Sequence, residues 1–407
     1  MASRKSVALT LRYGMVGGGP GAFIGPVHRM AAALDGEWRL CAGAFSADAN
    51  KSRGTGAHLG LAADRVYVSW RAMVEAEAAL PADERIHAVA IVTPNHLHHP
   101  VARAFLERGI HVVCDKPLAV TVAEADDLCR LTASTGLVFA VTYNYSGYPL
   151  VKEARARVRG GAIGQVRRVV VEYAQGWLSE LLEAEGHKQA EWRADPGRGG
   201  PSAVLGDIGS HAHHLMRYVT GLEVRRLFAD LGTVVAGRAA HDDAVVLLEL
   251  DDGVRGVLMA TQIATGERNH LRLRVYGGDG GLVWNQEKPN RLRLLRANGS
   301  VEVVHRAAGT RAPTAAAATR LPGGHPEGFV EAFANLYREV ARAVRGRDCV
   351  GADTGGGPRV HDPATRDDEA SEPDFPTVHD GARGIHFIDA SIRSHRAGSW
   401  VEVGCMP

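Results

Sequence analysis

Between residues 12 and 142 the chain alternates short apolar runs with longer stretches in which apolar residues recur every three or four positions. The runs RYGMV (12–16), WRLCAGAF (38–45), VYVS (66–69), HAVAIVTP (87–94), IHVVC (110–114) and LVFAVT (137–142) read as six strands. The periodic stretches near 26–35, 70–80, 98–108 and 121–135 read as helices. Strands alternating with helices of this length need crossover connections, and crossovers impose a parallel sheet. This half of the chain is therefore expected to be a doubly wound α/β domain.

The pattern changes near residue 166. VRRVVVEYAQGW (166–177), AVVLLEL (244–250), VRGVLMATQIA (254–264), LRLRVYG (271–277) and GLVW (281–284) are long strand-like runs joined by tight turns, one of them around Asp251-Asp252-Gly253. The stretch RLRLLRANGSVEVVHR (291–306) is a hairpin that turns at Asn298-Gly299, where positive φ costs little. Helices are expected over 326–345 and 378–395. The fold class is α/β, with an N-terminal Rossmann-like parallel sheet and an α+β domain built on a large, mainly antiparallel open sheet. The expected domains are 1–144, 145–375, and a C-terminal helix and tail over 376–407 that packs back on both. Two stretches poor in large apolar residues, 306–324 and 347–376, read as linkers.

One helix concentrates chemistry. In GDIGSHAHHL (206–215) the residues Ile208, Ala212, Leu215 and Val219 form a stripe that would face a core. Asp207, His211 and His214 share the neighbouring edge, expected to line a cleft, while His213 is expected on the outward face.

Composition narrows the partners. Lys plus Arg (47) balances Asp plus Glu (46), so no net field would recruit nucleic acid or an anionic membrane surface. The chain shows no run of the roughly 18 apolar residues that a membrane span needs. Its N-terminus has no apolar core followed by a small-residue cleavage site. Cys41, Cys114, Cys129, Cys349 and Cys405 are scattered and include no Cys-x-x-Cys pair, which reads as reduced thiols of a cytoplasmic protein. A zinc ion shared by His211, His214 and Asp207 is a competing reading of the histidine cluster. It is disfavoured because no Cys or Glu motif accompanies them, and no metal is expected.

VGGGPGAFIGPVHR (16–29) follows a strand and opens a helix, the setting in which glycines let backbone N–H groups approach a pyrophosphate. Gly17, Gly19, Ala22, Phe23 and Ile24 are the candidate contacts, in a loop that runs two or three residues longer than Gly-x-Gly-x-x-Gly. The second strand ends at Phe45-Ser46, with Asp48, Lys51 and Arg53 beyond. Ser46 with the two cations Lys51 and Arg53 would tolerate a 2′-phosphate and Asp48 would oppose one, so NAD and NADP both remain open.

With this loop, TPNHLHHP (93–100), CDKP (114–117) and the Asp207/His211 helix in order, the chain resembles the glucose-fructose oxidoreductase / inositol dehydrogenase / rhizopine catabolism (Gfo/Idh/MocA) family over nearly its whole length. Family members usually carry Glu-Lys-Pro where this chain has Asp115-Lys116-Pro117. The resemblance implies NAD(P)-dependent oxidation or reduction of a small-molecule sugar, glycoside or cyclitol, in a homo-oligomer, dimer or tetramer, built through the open sheet. It implies cofactor contacts from Thr93, Pro94, Asn95, His98, Asp115, Lys116 and Asn144. It also makes Lys116, Asp207 and His211 catalytic, with the imidazole accepting the hydroxyl proton, the ammonium stabilising the alkoxide, and Asp207 binding substrate or orienting the imidazole. Tyr145, Trp192, Arg193 and His325 are implied substrate contacts. The rival readings are a non-catalytic NAD(P)-binding regulator of a sugar pathway and an NAD-dependent glycosidase on the same fold.

Overall fold

The computed structural model describes residues 10–351 and 374–404. The first domain runs β1 (Leu11–Gly17), α1 (Ile24–Leu34), β2 (Trp38–Ala44), α2 (Ala49–His58), α3 (Trp70–Ala79), β3 (Ala88–Val92), α4 (His98–Glu107), β4 (His111–Cys114), α5 (Val122–Thr135) and β5 (Phe139–Val141). The strands are parallel in the order β2-β1-β3-β4-β5, so the order reverses beside β1. Alternate residues of each strand enter different cores. Leu11, Tyr13 and Met15 join Val27 and Ala31 of α1, whereas Val16, Val89 and Ile91 join Met73 of α3 and Val101 and Phe105 of α4.

Two features of this half depart from the pattern-based expectation. VYVS is not a strand: Val66 makes a single parallel bridge to Gly43, because Ser69 already caps α3 by accepting from the Ala72 N–H at 3.2 Å. The sheet therefore has five strands, and Lys116 follows the fourth rather than the fifth. The additional helix α2 has no apolar stripe and only Ser52 and Gly56 buried. It forms because the Asp48 carboxylate caps it, accepting from the Asn50 and Lys51 N–H groups at 2.8 and 3.1 Å. Gly56 lets it lie on Val66, where a Cβ would come within 2.3 Å.

The second half opens with α6 (Pro149–Arg159) and β6 (Val166–Ala174), then α7 (Lys188–Ala194), the short turn α8 (Pro196–Gly199) and α9 (Ser210–Thr220). There follow β7 (Val224–Gly232), β8 (Asp243–Leu250), β9 (Arg255–Thr261), β10 (His270–Gly277), β11 (Gly280–Asn285), β12 (Arg291–Arg296) and β13 (Val301–His305). After α10 (Pro313–Ala317) come α11 (Phe329–Gly351), α12 (Val378–Ala397) and β14 (Val401–Glu402). The nine strands form one sheet, β13-β12-β11-β10-β6-β9-β8-β7-β14, antiparallel except where β6 meets β9. Its inner rows, such as Val169, Val171 and Tyr173 or Ala244, Val246 and Leu248, are buried in one core with residues of α6, α9 and α12, and its other face is open.

Helix α6 carries a helical apolar period in Leu150, Val151, Ala154 and Val158, and it also buries charge: Glu153 pairs with Arg157 at 2.6 Å and Lys152 with Asp374 at 2.5 Å. The expected linker at 306–324 is instead pinned. It holds α10, buried Arg306 pairs with Glu327 at 2.7 Å, and Arg320 pairs with Asp35 of the first domain. Most of the other expected linker, 347–376, lies outside the described residues. Helix α11 packs against α1: Tyr337 accepts at its carbonyl from Trp38 Nε1 at 2.9 Å, and its hydroxyl meets His28 Nδ1 at 2.8 Å. Helix α12 packs on α5 and β7. Among the described residues no helix is long and apolar enough to cross a membrane.

Candidate active site

The carboxyl ends of all five parallel strands open into one cleft of about 1430 Å³, whose other wall is the second domain. That exceeds the roughly 300–1,000 Å³ of a pocket for one small molecule. Such a cleft is expected where strand order reverses in an open α/β sheet.

Each strand end delivers one loop. After β1, Gly17 and Gly18 take φ of 88° and 73°, and a Cβ on Gly17 or Gly19 would lie 2.6 Å from a carbonyl oxygen, of Val92 and Phe45 respectively. Gly25, inside α1, lies so close to Gly18 that a Cβ would come within 2.4 Å of its Cα. Helix α1 has no side-chain cap, so its first N–H groups are free for an anion. After β3 and β5, Thr93 Oγ1 and Asn144 Nδ2 are buried in the cleft wall without a partner. After β4, Asp115 accepts from the Lys116 N–H and Thr142 Oγ1, both at 2.9 Å, and fixes the strand end.

Lys116 reaches across to the second domain. Its Nζ donates to the Asp207 carbonyl at 2.6 Å and to Asp207 Oδ1 at 3.0 Å. Asp207 lies in a π-helical turn, Leu205–Gly209, that runs into α9, and such turns are frequent at functional sites. Its Oδ2 accepts from Gln262 Nε2 at 2.8 Å, and Arg193 Nε stands 3.2 Å from Oδ1. His211 lines the same end of the cleft, edge-on to Tyr145 with ring centroids 4.7 Å apart, and its buried Nδ1 has no partner. Below it Tyr145 and Tyr173 share a 2.6 Å hydroxyl contact, and Tyr173 donates to Asn269 Oδ1 at 2.6 Å.

Comparison with known proteins agrees with this geometry. The family description "Oxidoreductase family, NAD-binding Rossmann fold" matches residues 11–143, and "GFO/IDH/MocA C-terminal domain" matches 151–283. An oxidoreductase of Bacillus subtilis (strain 168), YfiI, is 32% identical over 402 residues, 97% of this chain and 98% of that protein. The chain belongs to the Gfo/Idh/MocA family. Other relatives of this Gfo/Idh/MocA protein carry substrate names. Levoglucosan dehydrogenase of Pseudarthrobacter phenanthrenivorans is 28% identical over 319 residues, 72% of this chain and 78% of that enzyme. An inositol dehydrogenase homolog from Azotobacter vinelandii, solved with NAD+, superposes with a TM-score of 0.88 at 34% identity, covering 97% of this chain and 98% of that one. The first domain of this Gfo/Idh/MocA chain is thus an NAD-binding Rossmann fold, and its crowded glycines, uncapped helix and orphaned Thr93 and Asn144 atoms suit a dinucleotide.

The electrostatics of Lys116, Asp207 and His211 follow from their neighbours. Burial alone would raise the Asp207 carboxyl, but the charges of Arg193 and Lys116 outweigh it and hold the group well below the usual carboxylate range. Burial and then the Lys116 ammonium push the His211 imidazole well below its ordinary value, so it is neutral at neutral pH. Burial raises the Tyr145 and Tyr173 phenols, which stay protonated.

Of the residues singled out from sequence, Gly17, Gly19, Ala22, Phe23, Ile24, Ser46, Lys51, Thr93, Pro94, Asn95, Asp115, Lys116, Asn144, Tyr145, Trp192, Arg193, Asp207 and His211 all line the cleft. Two do not. His98 is buried beneath it, its ring nitrogens 2.7 Å from the Pro117 carbonyl and 3.0 Å from that of Thr93, so it braces two loops rather than facing a ligand. His325 is exposed before α11, where its carbonyl accepts from Arg306. No hydrogen bond joins Asp207 to His211 among the described residues; the carboxylate is committed to Lys116 and Gln262.

The sequence reading passed over Tyr173, Gln175, Gln262 and Asn269. Their signal was present: Tyr173 lies on the inward-facing row of β6, and Gln175, Gln262 and Asn269 continue such rows just beyond a strand end, as Gln262 continues Leu258 and Ala260. His214 stacks on Tyr143 with centroids 4.5 Å apart rather than on the cleft edge, and His213, expected outward, is buried face to face with Phe387 at 4.4 Å.

These packed histidines make stability depend on pH. Burial lowers His214 and His28 from 6.5 to about 4, and holds His213 well below its ordinary value too. Between 6.5 and about 4 the unfolded chain binds protons that the folded chain does not, so stability rises with pH across that window. Denaturant unfolding at stepped pH is expected to show full stability from these groups above 6.5. Below it the loss should reach about 1.4 kcal/mol per pH unit per histidine.

Proposed function

We propose that the protein is an NAD-dependent dehydrogenase that oxidises a secondary alcohol of a sugar, glycoside or cyclitol. The observation that carries this is the meeting of Lys116 from the first domain with Asp207 and His211 from the second, at the end of a cleft with room for two ligands. A bound nicotinamide supplies the hydride acceptor. Neutral His211 accepts the hydroxyl proton, and the Lys116 ammonium, held in place by Asp207, lowers that hydroxyl's pKa and stabilises the developing alkoxide. Tyr145, Trp192, Arg193, Gln175 and Asn269 present the donors, acceptors and ring faces that a polyol needs. The names of levoglucosan dehydrogenase and of scyllo-inositol 2-dehydrogenase (NAD(+)) of Bacillus subtilis support the same substrate class. Residues 1–144 serve the dinucleotide and 145–375 the alcohol. The open sheet face, with Val245 and Leu247 exposed among arginines and glutamates, suits contact between copies of the chain. Screening sugars, glycosides and inositols for formation of reduced nicotinamide tests the function; no turnover with any of them, with either nucleotide, rejects it.

NAD is the proposed partner rather than NADP. Ser46 Oγ is occupied by the Asp48 N–H at 3.2 Å, and the hydrogen bonds from Lys51 and Asn50 keep the Asp48 carboxylate ionised at the ribose end of the cleft. Asp48→Asn keeps a good helix cap but removes the charge. The expected outcome is a several-fold gain in kcat/KM for NADP relative to NAD, read from paired initial rates.

A further inference from the structure

Helix α7 touches both ends of the cleft. The long glycine loop closes a turn in which the Ala22 N–H donates to the Gly19 carbonyl at 3.1 Å, leaving Pro20 and Gly21 as an exposed tip. The tip's carbonyls are taken by the second domain: Lys188 Nζ donates to Pro20 O at 2.9 Å, and Gln189 Nε2 to Gly21 O at 3.2 Å. The other end of the Gln189 amide faces the opposite way. Its Oε1 accepts from an Arg193 guanidinium nitrogen at 2.7 Å and from Trp192 Nε1 at 3.4 Å. The Arg193 guanidinium lies over the Trp192 ring, 4.2 Å from its centroid, with Nε 3.2 Å from Asp207 Oδ1.

One side-chain amide therefore joins the loop that seats a pyrophosphate to the cation that pairs with the carboxylate holding Lys116. Amide groups bonded at both ends polarise one another, so an arrangement that strengthens one bond strengthens the other. Arg193 Nε is buried close to Oδ1 yet makes no aligned hydrogen bond. A shift of α7 by a fraction of an ångström would complete or lose that bond, so small movements of the loop tip have a receiver at Asp207.

We propose that Gln189 is a positioning residue that couples the two ligands: a dinucleotide seated on the glycine loop draws α7 into register, aligns Arg193 with Asp207, and so favours the alcohol. This rests on the dehydrogenase reading above. Coupling is reciprocal, so the alcohol must tighten the dinucleotide by the same factor.

The test is titration of the enzyme with NADH, followed by fluorescence, with and without a saturating amount of whichever sugar, glycoside or inositol turns over fastest in the screen. In the wild type the alcohol is expected to tighten NADH about fivefold or more, the lower end of ordinary coupling. Gln189→Glu keeps an acceptor for Arg193 but replaces the donor to Gly21 O, and its factor is expected to fall below twofold. Gln189→Ala breaks both arms and is expected to lose the factor and to raise KM for the alcohol. A helix that merely braces the cleft would weaken both ligands and leave the factor unchanged. An unchanged factor in Gln189→Glu, or a wild-type factor of one, overturns the proposal. A chain that binds no NADH or oxidises no alcohol overturns the dehydrogenase reading instead.

Discussion

Replacing Lys116 with methionine is expected to lower kcat for alcohol oxidation about 10²- to 10³-fold, the loss found when one positioned donor to a developing oxyanion is removed. The side chain keeps its reach but loses the ammonium that bonds Asp207 at its carbonyl and at Oδ1. Gln262 and Arg193 still hold the carboxylate, so the fold should survive and NADH should still bind. A second readout is independent of rate. Lys116 is one cause of the depressed His211 pKa, so the acid limb of the kcat profile should move upward in the variant, toward 6.5. Stopped-flow rates across pH check both; a variant within fivefold of the wild type would remove Lys116 from the mechanism.

His211→Asn is expected to cost about 10²- to 10⁴-fold in kcat, the usual contribution of a positioned base. Asparagine stays polar beside Tyr145 but cannot accept the proton. In the wild type burial and Lys116 keep the imidazole neutral, so kcat should be level from neutral pH down through 6.5 and fall only where the folded-state imidazole protonates, well below that value. The variant should lack this limb. Rates that keep the wild-type profile would mean that another group takes the proton.

The two mutations test different halves of a site that was unequally legible. Lys116 was readable because a strand must end before its proline and the strand's carboxyl end faces the crevice of a parallel sheet. His211 was readable because the stripe Ile208, Ala212, Leu215 and Val219, all essentially buried, fixes which edge of the helix faces the cleft. The same helical reasoning misplaced His213 and His214. It located their faces correctly relative to the stripe but had no knowledge of Phe387 and Tyr143, which cover those faces from elsewhere in the chain. Helix α2 was not legible because capping and glycine packing hold it and neither leaves an apolar period, whereas α6 does carry one in Leu150, Val151, Ala154 and Val158, interrupted by charges such as Lys152, whose partner Asp374 lies far along the chain.

What the sequence determined by itself is whatever depends on neighbours along the chain: two sheets of different grammar, a glycine loop opening a helix, and a histidine helix whose buried stripe is written in its spacing. What only the tertiary structure decided is where polar atoms find partners. Asp207 serves Lys116, 91 positions away, and not the histidine one turn along; Lys188 reaches a carbonyl 168 positions away. Periodic burial is a local property written into residue spacing, whereas a hydrogen bond of 3 Å between two domains depends on how their sheets face each other, and no spacing along one strand or helix encodes that distance.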